Sequence, residues 1–281
     1  MSIWFEEGNE FGDGYLLKLK VSKVIYKSQS QFQSIEIFEN PLFGKVLLLD
    51  DIIQVTEKDE KNYHEMFSHV PLFSHPSPKN VIVIGGGDGG NIREIVKHSS
   101  IEKIVLCELD SEVVSTCRKY LPELTAGLDD PRVIIEYKDG CKYVQDHKST
   151  FDIILVDSTD PIGPSEVLFK EPFFKDMKSA LRPGGIIVTQ AENFHHPEQK
   201  KVILDLFKFV PNLFKYAKYY FTLVPTYATG TMGFTFLSDE PYFQKQPRPC
   251  TIDNLEYYNT EIHKAAFCLP TGFAKVLYGE K

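Results

Sequence analysis

The chain has 281 residues, 42% of them hydrophobic and 25% charged, which excludes a disordered chain and allows one large domain with or without a small one. A net charge of −8 argues against nucleic acid as a partner and is compatible with cationic small molecules. Five scattered cysteines with no C-x-x-C, a start lacking a basic-then-apolar leader and no bilayer-length apolar run point to a reduced, cytoplasmic protein off the membrane.

Residues 1 to 56 read as a small β-rich module. "GYLLKLKVSKVIYKSQ" alternates apolar and polar residues, "FQSIEIFEN" follows, and after the Asn40-Pro41 turn comes "GKVLLLDDIIQVT". Residues 57 to 79 connect. There Tyr63, Met66, Phe67 and Val70 recur at helical spacing, so the segment is predicted to be a helix running into a junction at "PSPKN". From residue 80 to 281 the pattern is strand, turn, helix, repeated. "NVIVIGGG" is a continuous apolar run, as a buried parallel strand requires, and "NIREIVKH" is its helix. "EKIVLCELD", "RVIIEY", "FDIILVDS" and "GIIVTQ" are the next strands. Their helices are "SEVVSTCRKYL", with Ser111 as N-cap, then "FKEPFFKDMKSALRPGG", stopped by Pro-Gly, and "PEQKKVILDLFKFV". "YYFTLVPTYATGTMGFTFLS" reads as two strands around a turn, partly antiparallel to the rest, with Tyr219, Tyr220 and Phe221 as core and strand residues. "LEYYNTEIHKAAFCLPTGFAKVL" reads as helix packed on the sheet. The expected fold class is α/β, a mostly parallel, doubly wound Rossmann-like sheet preceded by the β module.

In such a sheet, ligands bind beyond the carboxyl ends of the strands. The first strand delivers "IGGGDGG", where Gly85, Gly87 and Gly90 satisfy G-x-G-x-x-G but Asp88 puts a carboxylate where a pyrophosphate would sit. The second delivers Glu108, 18 residues beyond Gly90, about the offset of an acid that takes ribose hydroxyls. The third delivers Asp139, and the fourth "DSTDPIGP", with Asp157 and Asp160. A phosphate-bearing dinucleotide is disfavoured on this rim of carboxylates, whereas a nucleoside carrying a sulfonium fits it. Methyltransferase-like domains share this strand, glycine and acid layout.

Asp157 and Asp160, three apart and kept from a regular helix by Pro161 and Pro164, suit a cationic amine and can take its proton. An alkylamine with a pKa near 10.4 gives its proton to an aspartate near 3.9 only uphill, by roughly 9 kcal/mol in water. Burial, a neighbouring sulfonium and like-charge repulsion must narrow that gap. His195-His196 lacks any cysteine or acid spacing for a metal site, so no metal is expected.

Taken together, "GKVLLLDDIIQVTEKDEKNYHEM", "VIGGGDGGNIREIVKH", "CELD", "DDPRV", "DSTDPIGPSEVLF", "VPTYATGTMGF" and "YYNTEIHKAAFCLP" resemble the spermidine synthases, the polyamine aminopropyltransferases, along nearly the whole chain. The resemblance implies a small N-terminal β domain on a methyltransferase-like domain, assembled as a homodimer or larger homo-oligomer. It also implies transfer of an aminopropyl group from decarboxylated S-adenosylmethionine, a co-substrate, to putrescine, with no resident cofactor. By resemblance, Asp157 is the proton acceptor and Asp160 holds the diamine. Asp88 binds the amine of the aminopropyl arm, Glu108 the ribose, and Asp139 with Gly140 the adenine. Gln33 and His64 contact the donor, Pro164 lines the adenosine pocket, and Tyr63 and Tyr227 line the diamine channel. Two positions depart from the family pattern. Its G-D-G stands here as Lys138-Asp139-Gly140, and its L-D-G as Leu49-Asp50-Asp51. Two alternatives share this scaffold: a putrescine N-methyltransferase using S-adenosylmethionine, whose extra carboxylate Asp88 would repel, and a catalytically silent polyamine-binding protein.

Overall fold

A computed structural model describes residues 3–8, 14–158 and 163–279. The N-terminal strands form two sheets. One is the antiparallel pair β1 (Ile3–Glu7) and β2 (Leu17–Val21); the other is the meander β3 (Lys23–Gln29), β4 (Ser34–Asn40), β5 (Gly44–Leu49) and β6 (Ile52–Thr56). Strand β1 falls in a stretch read above only as lacking a leader; its Ile3 and Trp4 are exposed, and its inward Phe5 is followed by the buried Glu7, so no regular apolar alternation marks it. The period-two pattern splits the meander between two cores. Ile35, Ile37, Leu47 and Leu49 face the helix α3 (Ser111–Tyr120), whereas Phe38, Val46 and Leu48 pack with Leu19 of β2. The module is thereby docked on the larger domain through apolar contact.

Helix α1 (Glu60–Ser74) follows, and it is more than a connector. Met66, Phe67 and Val70 are fully buried, as predicted, but so are Glu65, Ser68 and His69. Burying that many polar groups is tolerable only if each is bonded, and their partners lie on elements distant in sequence. Glu65 accepts the backbone N–H groups of Glu256, Tyr257 and Tyr258 at 2.9, 2.9 and 2.7 Å.

The large sheet comprises β7 (Asn80–Gly85), β8 (Lys103–Glu108), β9 (Val133–Tyr137), β10 (Phe151–Asp157), β11 (Leu181–Gln190), β12 (Tyr216–Leu223) and β13 (Thr231–Ser238), ordered β12-β13-β11-β10-β7-β8-β9. The first five strands in sequence pair in parallel, while β13 runs antiparallel to both β11 and β12, as expected for the closing pair. Alternate residues feed opposite faces. Val81 and Val83 join α1, α2 (Gly90–Val96) and α8 (Thr260–Ala265) on one side. Ile82 and Ile84 join α4 (Gly140–Gln145), α5 (Glu171–Ala180), α6 (Pro197–Phe207) and α9 (Thr271–Tyr278) on the other. Both faces are covered, which is why these strands read as unbroken apolar runs.

Three local expectations are corrected. Helix α3 is capped by Asp110, whose side chain accepts Glu112 N–H at 3.0 Å, rather than by Ser111. Helix α5 stops at Ala180, ahead of Pro183, and "LRPGG" opens β11, because the residue before a proline is driven out of the helical region. The C-terminal segment is helical only in α8 and α9; residues 255–259 form an irregular, bent stretch held on Glu65 instead. Tyr219 and Tyr220 are core residues, and Phe221 is half-buried. No helix among the described residues is long and apolar enough to cross a membrane.

Candidate active site

The strand order reverses direction between β7 and β10, so the loops leaving these two strands diverge and open a crevice there. A cavity of about 350 Å³ occupies it. Its walls include Gln33, Tyr63, His64, Asp88, Glu108, Asp139, Gly140, Asp157 and Tyr227, which the sequence singled out. Asp160 lies outside the described residues, and Pro164 belongs to a 3₁₀ turn, Gly163–Phe169.

The glycine loop is what lets these groups converge. Gly85 adopts φ +77°, and a Cβ there would lie 2.0 Å from the carbonyl oxygen of Asp157. That close approach is used, since Gly86 donates its N–H to the same oxygen at 2.9 Å. At Gly90 a Cβ would meet the His64 ring at 2.3 Å. Any side chain at either position would drive apart the loop and its neighbours.

Asp157, at the end of β10, is held from both sides. Tyr63 Oη donates to its Oδ1 at 2.5 Å, and Asn91 Nδ2 donates to its Oδ2 at 2.6 Å. Burial, with Asp88 nearby, raises its pKa to about 6 against the opposing pull of these donors. Asp88 accepts the Gly90 N–H at 2.7 Å and faces His64 Nε2 at 3.4 Å. It therefore holds the first amide of α2, whose N-cap is Gly89, and lines the cavity at once. The other ring nitrogen of His64 pairs with Glu60 at 2.7 Å, and Arg93 clamps Glu60 with two bonds of 2.9 and 2.8 Å. Burial opposes a charge on His64, but Asp88 and Glu60 outweigh it and carry its pKa to about 10. The result is an alternation of charge, Asp88, His64, Glu60, Arg93, running from the cavity into the α1–α2 contact.

Across the cavity, burial lifts Glu108 to about 7, although backbone amides including Asp110 N–H, at 2.9 Å, favour its ionised form. Gln33 reaches the same rim by donating to Asp110 Oδ2 at 3.1 Å, beside Ser30 at 2.6 Å. Asp139 caps α4 by accepting Cys141 N–H at 2.8 Å. Tyr227 sits in a turn fixed by Asp59, which accepts both the N–H and the hydroxyl of Thr226 at 2.9 and 2.7 Å. Its own hydroxyl donates to the Gln54 carbonyl, and its ring lies 6.1 Å from that of Tyr63.

His64, Asp88 and Asp157 each bring a potential ligand atom within 4.8 Å of the others. Both ring nitrogens of His64 face carboxylates, and Asp88 and Glu60 favour its charged form. The carboxylates of Asp88 and Asp157 can accept hydrogen bonds from a cationic donor such as an ammonium.

The spermine/spermidine synthase domain model matches residues 60–247, and the spermidine synthase tetramerisation domain model matches residues 3–57. The chain is 51% identical to a polyamine aminopropyltransferase of Leptospira biflexa over 100% of both chains, and 43% identical to the spermidine synthase of Schizosaccharomyces pombe over 95% of this chain and 91% of that one. It superposes on a crystal structure of a spermidine synthase in complex with the transition-state analogue AdoDATO with a TM-score of 0.94, at 40% identity, covering 99% of this chain and 96% of the other. The spermidine synthase of Thermotoga maritima gives 0.93 at 39% identity, covering 99% and 95%. This chain belongs to the spermidine synthase family. It is a transferase, of the polyamine aminopropyltransferase class.

Its two departures from the family pattern are now placed. Asp50 and Asp51 form the two-residue turn of the β5–β6 hairpin, both left-handed at φ +49° and +62°; Asp50 lines the cavity, and Asp51 is exposed. Lys138 turns outward to Glu136 at 2.8 Å. Several cavity and support residues carried no signal in the sequence. Glu60 and Arg93 hold His64, Ser68 and Asn91 stand behind Asp157, and Glu7 enters the cavity wall from β1 while accepting Ile53 N–H at 2.7 Å. Apart from the i,i+4 contact of Glu60 with His64, each works through a partner far away in sequence, so spacing rules do not find it.

Proposed function

We propose that this chain transfers the aminopropyl group of decarboxylated S-adenosylmethionine to putrescine, giving spermidine and methylthioadenosine, with Asp157 as the proton acceptor. The observation that carries the reading is the half-buried pair Asp88 and Asp157 lining the cavity at the glycine loop, with Asp157 poised near pKa 6. In this reading Glu108 takes the donor's ribose, Asp139 and Gly140 its adenine, and Gln33, His64 and Pro164 complete the donor side. Asp88 takes the amine of the aminopropyl arm. Tyr63, Tyr227, Asp157 and Asp160 receive the diamine.

The diamine must lose a proton before its nitrogen can attack. Raising the acceptor to about 6 cuts the uphill transfer from about 9 to about 6 kcal/mol, and the donor's sulfonium lowers the amine pKa further. The amine gives a proton to Asp157 and attacks the methylene carbon on sulfur. The C–N bond forms as the C–S bond breaks, and the electron pair leaves with sulfur as a neutral thioether. Because the leaving group arrives already activated, no resident cofactor is required. Positioning of the two cations on fixed carboxylates contributes much of the rate.

The exposed apolar residues of the N-terminal segment (Ile3 and Trp4 of β1, and Leu16 before β2), within the segment matching the tetramerisation domain model, support assembly as a homodimer or larger homo-oligomer. Five unpaired cysteines fit a reducing, cytoplasmic setting. Asp157→Asn is expected to retain the fold and lower kcat by about 10²–10⁴-fold, read by mass spectrometry of spermidine formed from both substrates. Near wild-type turnover in folded protein would remove Asp157 from its role.

A further inference from the structure

Behind Asp157, on the side away from Tyr63, stands a pair of fully buried polar side chains that the reaction has not so far used. Asn91, at the start of α2, donates from Nδ2 to Asp157 Oδ2 at 2.6 Å; Ser68, on α1, donates from Oγ to Asn91 Oδ1 at 2.9 Å. Neither side chain has any solvent exposure. The two contacts fix the amide's direction. A carboxylate accepts only, so the NH₂ group must face Asp157, and the hydroxyl then completes the amide oxygen. An apolar pair would fill the same space without the cost of burying an amide and a hydroxyl. The pair is therefore a feature with a consequence for the carboxylate that it touches.

We propose that Asn91, oriented by Ser68, is a positioning residue for the transfer reaction: its amide N–H holds the Asp157 carboxylate turned to the cavity and favours its ionised form. The proposal rests on the reading of Asp157 as the proton acceptor. The titratable and charged groups facing Asp157 among the described residues are Tyr63 and His64 from α1 and Asp88 from the loop after β7. Asp88 repels the Asp157 charge, while His64, Tyr63 and Asn91 stabilise it. With burial already pushing Asp157 towards the neutral acid, loss of one donor shifts its ionisation to higher pH.

The test compares wild type with Asn91→Leu, Ser68→Ala and the double variant S68A/N91L. The double variant replaces both members of the Ser68–Asn91 bond by apolar groups, so that Asp157 Oδ2 is the one atom of the relay that loses its donor. The protonation of Asp157 is followed directly by infrared titration of its carboxylic acid C=O band, assigned by its absence in Asp157→Asn. The acid limb of kcat/KM for putrescine is measured alongside. We expect the midpoint of the band to rise by about one pH unit in Asn91→Leu and equally in S68A/N91L, with a smaller rise in Ser68→Ala. Equality of the first two is the signature of one relay, because Ser68 acts only through Asn91. An unmoved band in the folded double variant, or rises in the single variants that add, overturns the proposal. A band that moves while the kinetic limb stays fixed upholds the relay and instead overturns Asp157 as the proton acceptor.

Discussion

At Asp157, two hydrogen-bond donors and a neighbouring carboxylate oppose one another within a buried space. Tyr63 Oη, 2.5 Å from Oδ1, is the donor on the cavity side, and it stabilises only the ionised form. With the acid near pKa 6, kcat/KM for putrescine should fall as pH drops through about 6, because the protonated acid cannot accept the amine's proton. In Tyr63→Phe that acid limb should move to higher pH, by about one unit, and an unshifted limb in a pH–rate profile would show that the 2.5 Å contact does not tune the base. At this scale the strand-end carboxylates were readable from the sequence, since "IGGGDGG", "CELD" and "DSTDP" each follow a recognisable buried strand. Asn91, Ser68, Glu60 and Arg93 were not. Except for the contact of Glu60 with His64 on its own helix, their meaning lies in partners on another element, and an asparagine after two glycines or a serine among helical apolar residues has no distinctive pattern of its own.

The elements show the same division. Strand β7 and its glycine turn were legible because burial on both faces leaves an unbroken apolar run. Strand β1 was not legible, because Ile3 and Trp4 are both exposed and the inward Phe5 is followed on its face by Glu7 rather than an apolar residue. Residues 255–259 carry apolar spacing that reads as helix, but three of their amides are taken by Glu65, and a bond to a side chain 190 or so residues away is invisible to local propensity. The hairpin between β5 and β6 offers a test of local strain. Asp51 sits at φ +62°, in the second position of a two-residue turn that favours glycine. Asp51→Gly should therefore stabilise the protein by about 0.5–1 kcal/mol, the relief of a left-handed side chain less the added freedom of the unfolded glycine. A lower thermal midpoint in calorimetry would contradict this.

For the whole molecule, β1 exposes apolar side chains on both of its faces near the N-terminus, with Ile3 65% and Trp4 52% accessible. The active-site carboxylates lie elsewhere, on the switch point of the large sheet. Ile3→Lys with Trp4→Lys should reduce the assembled mass measured by light scattering while leaving secondary structure intact. An unchanged mass would move the association surface away from this strand. The two-part plan, with a mostly parallel sheet covered on both sides and a β module before it, was readable because periodicity and turn chemistry agree along most of the chain. The docking itself was not, since it depends on Ile35, Ile37, Leu47 and Leu49 meeting Val113, Cys117 and Leu121 across two domains.

Helix α1 has a consequence for how this enzyme should fail on heating. It supplies Tyr63 and His64 to the cavity, and it is also tied to the distant parts of the chain. Tyr220 and Thr222 of β12 donate hydroxyl bonds to its Met66 and Asn62 carbonyls, and Glu65 anchors the approach to α8. Such a segment opens only when the domain around it opens. No inactive but folded species should accumulate below the melting transition. Residual activity, tryptophan and tyrosine fluorescence, and amide exchange in residues 60–74 should be lost along a single curve. A plateau of folded, inactive protein would place the thermal weak point outside the helix.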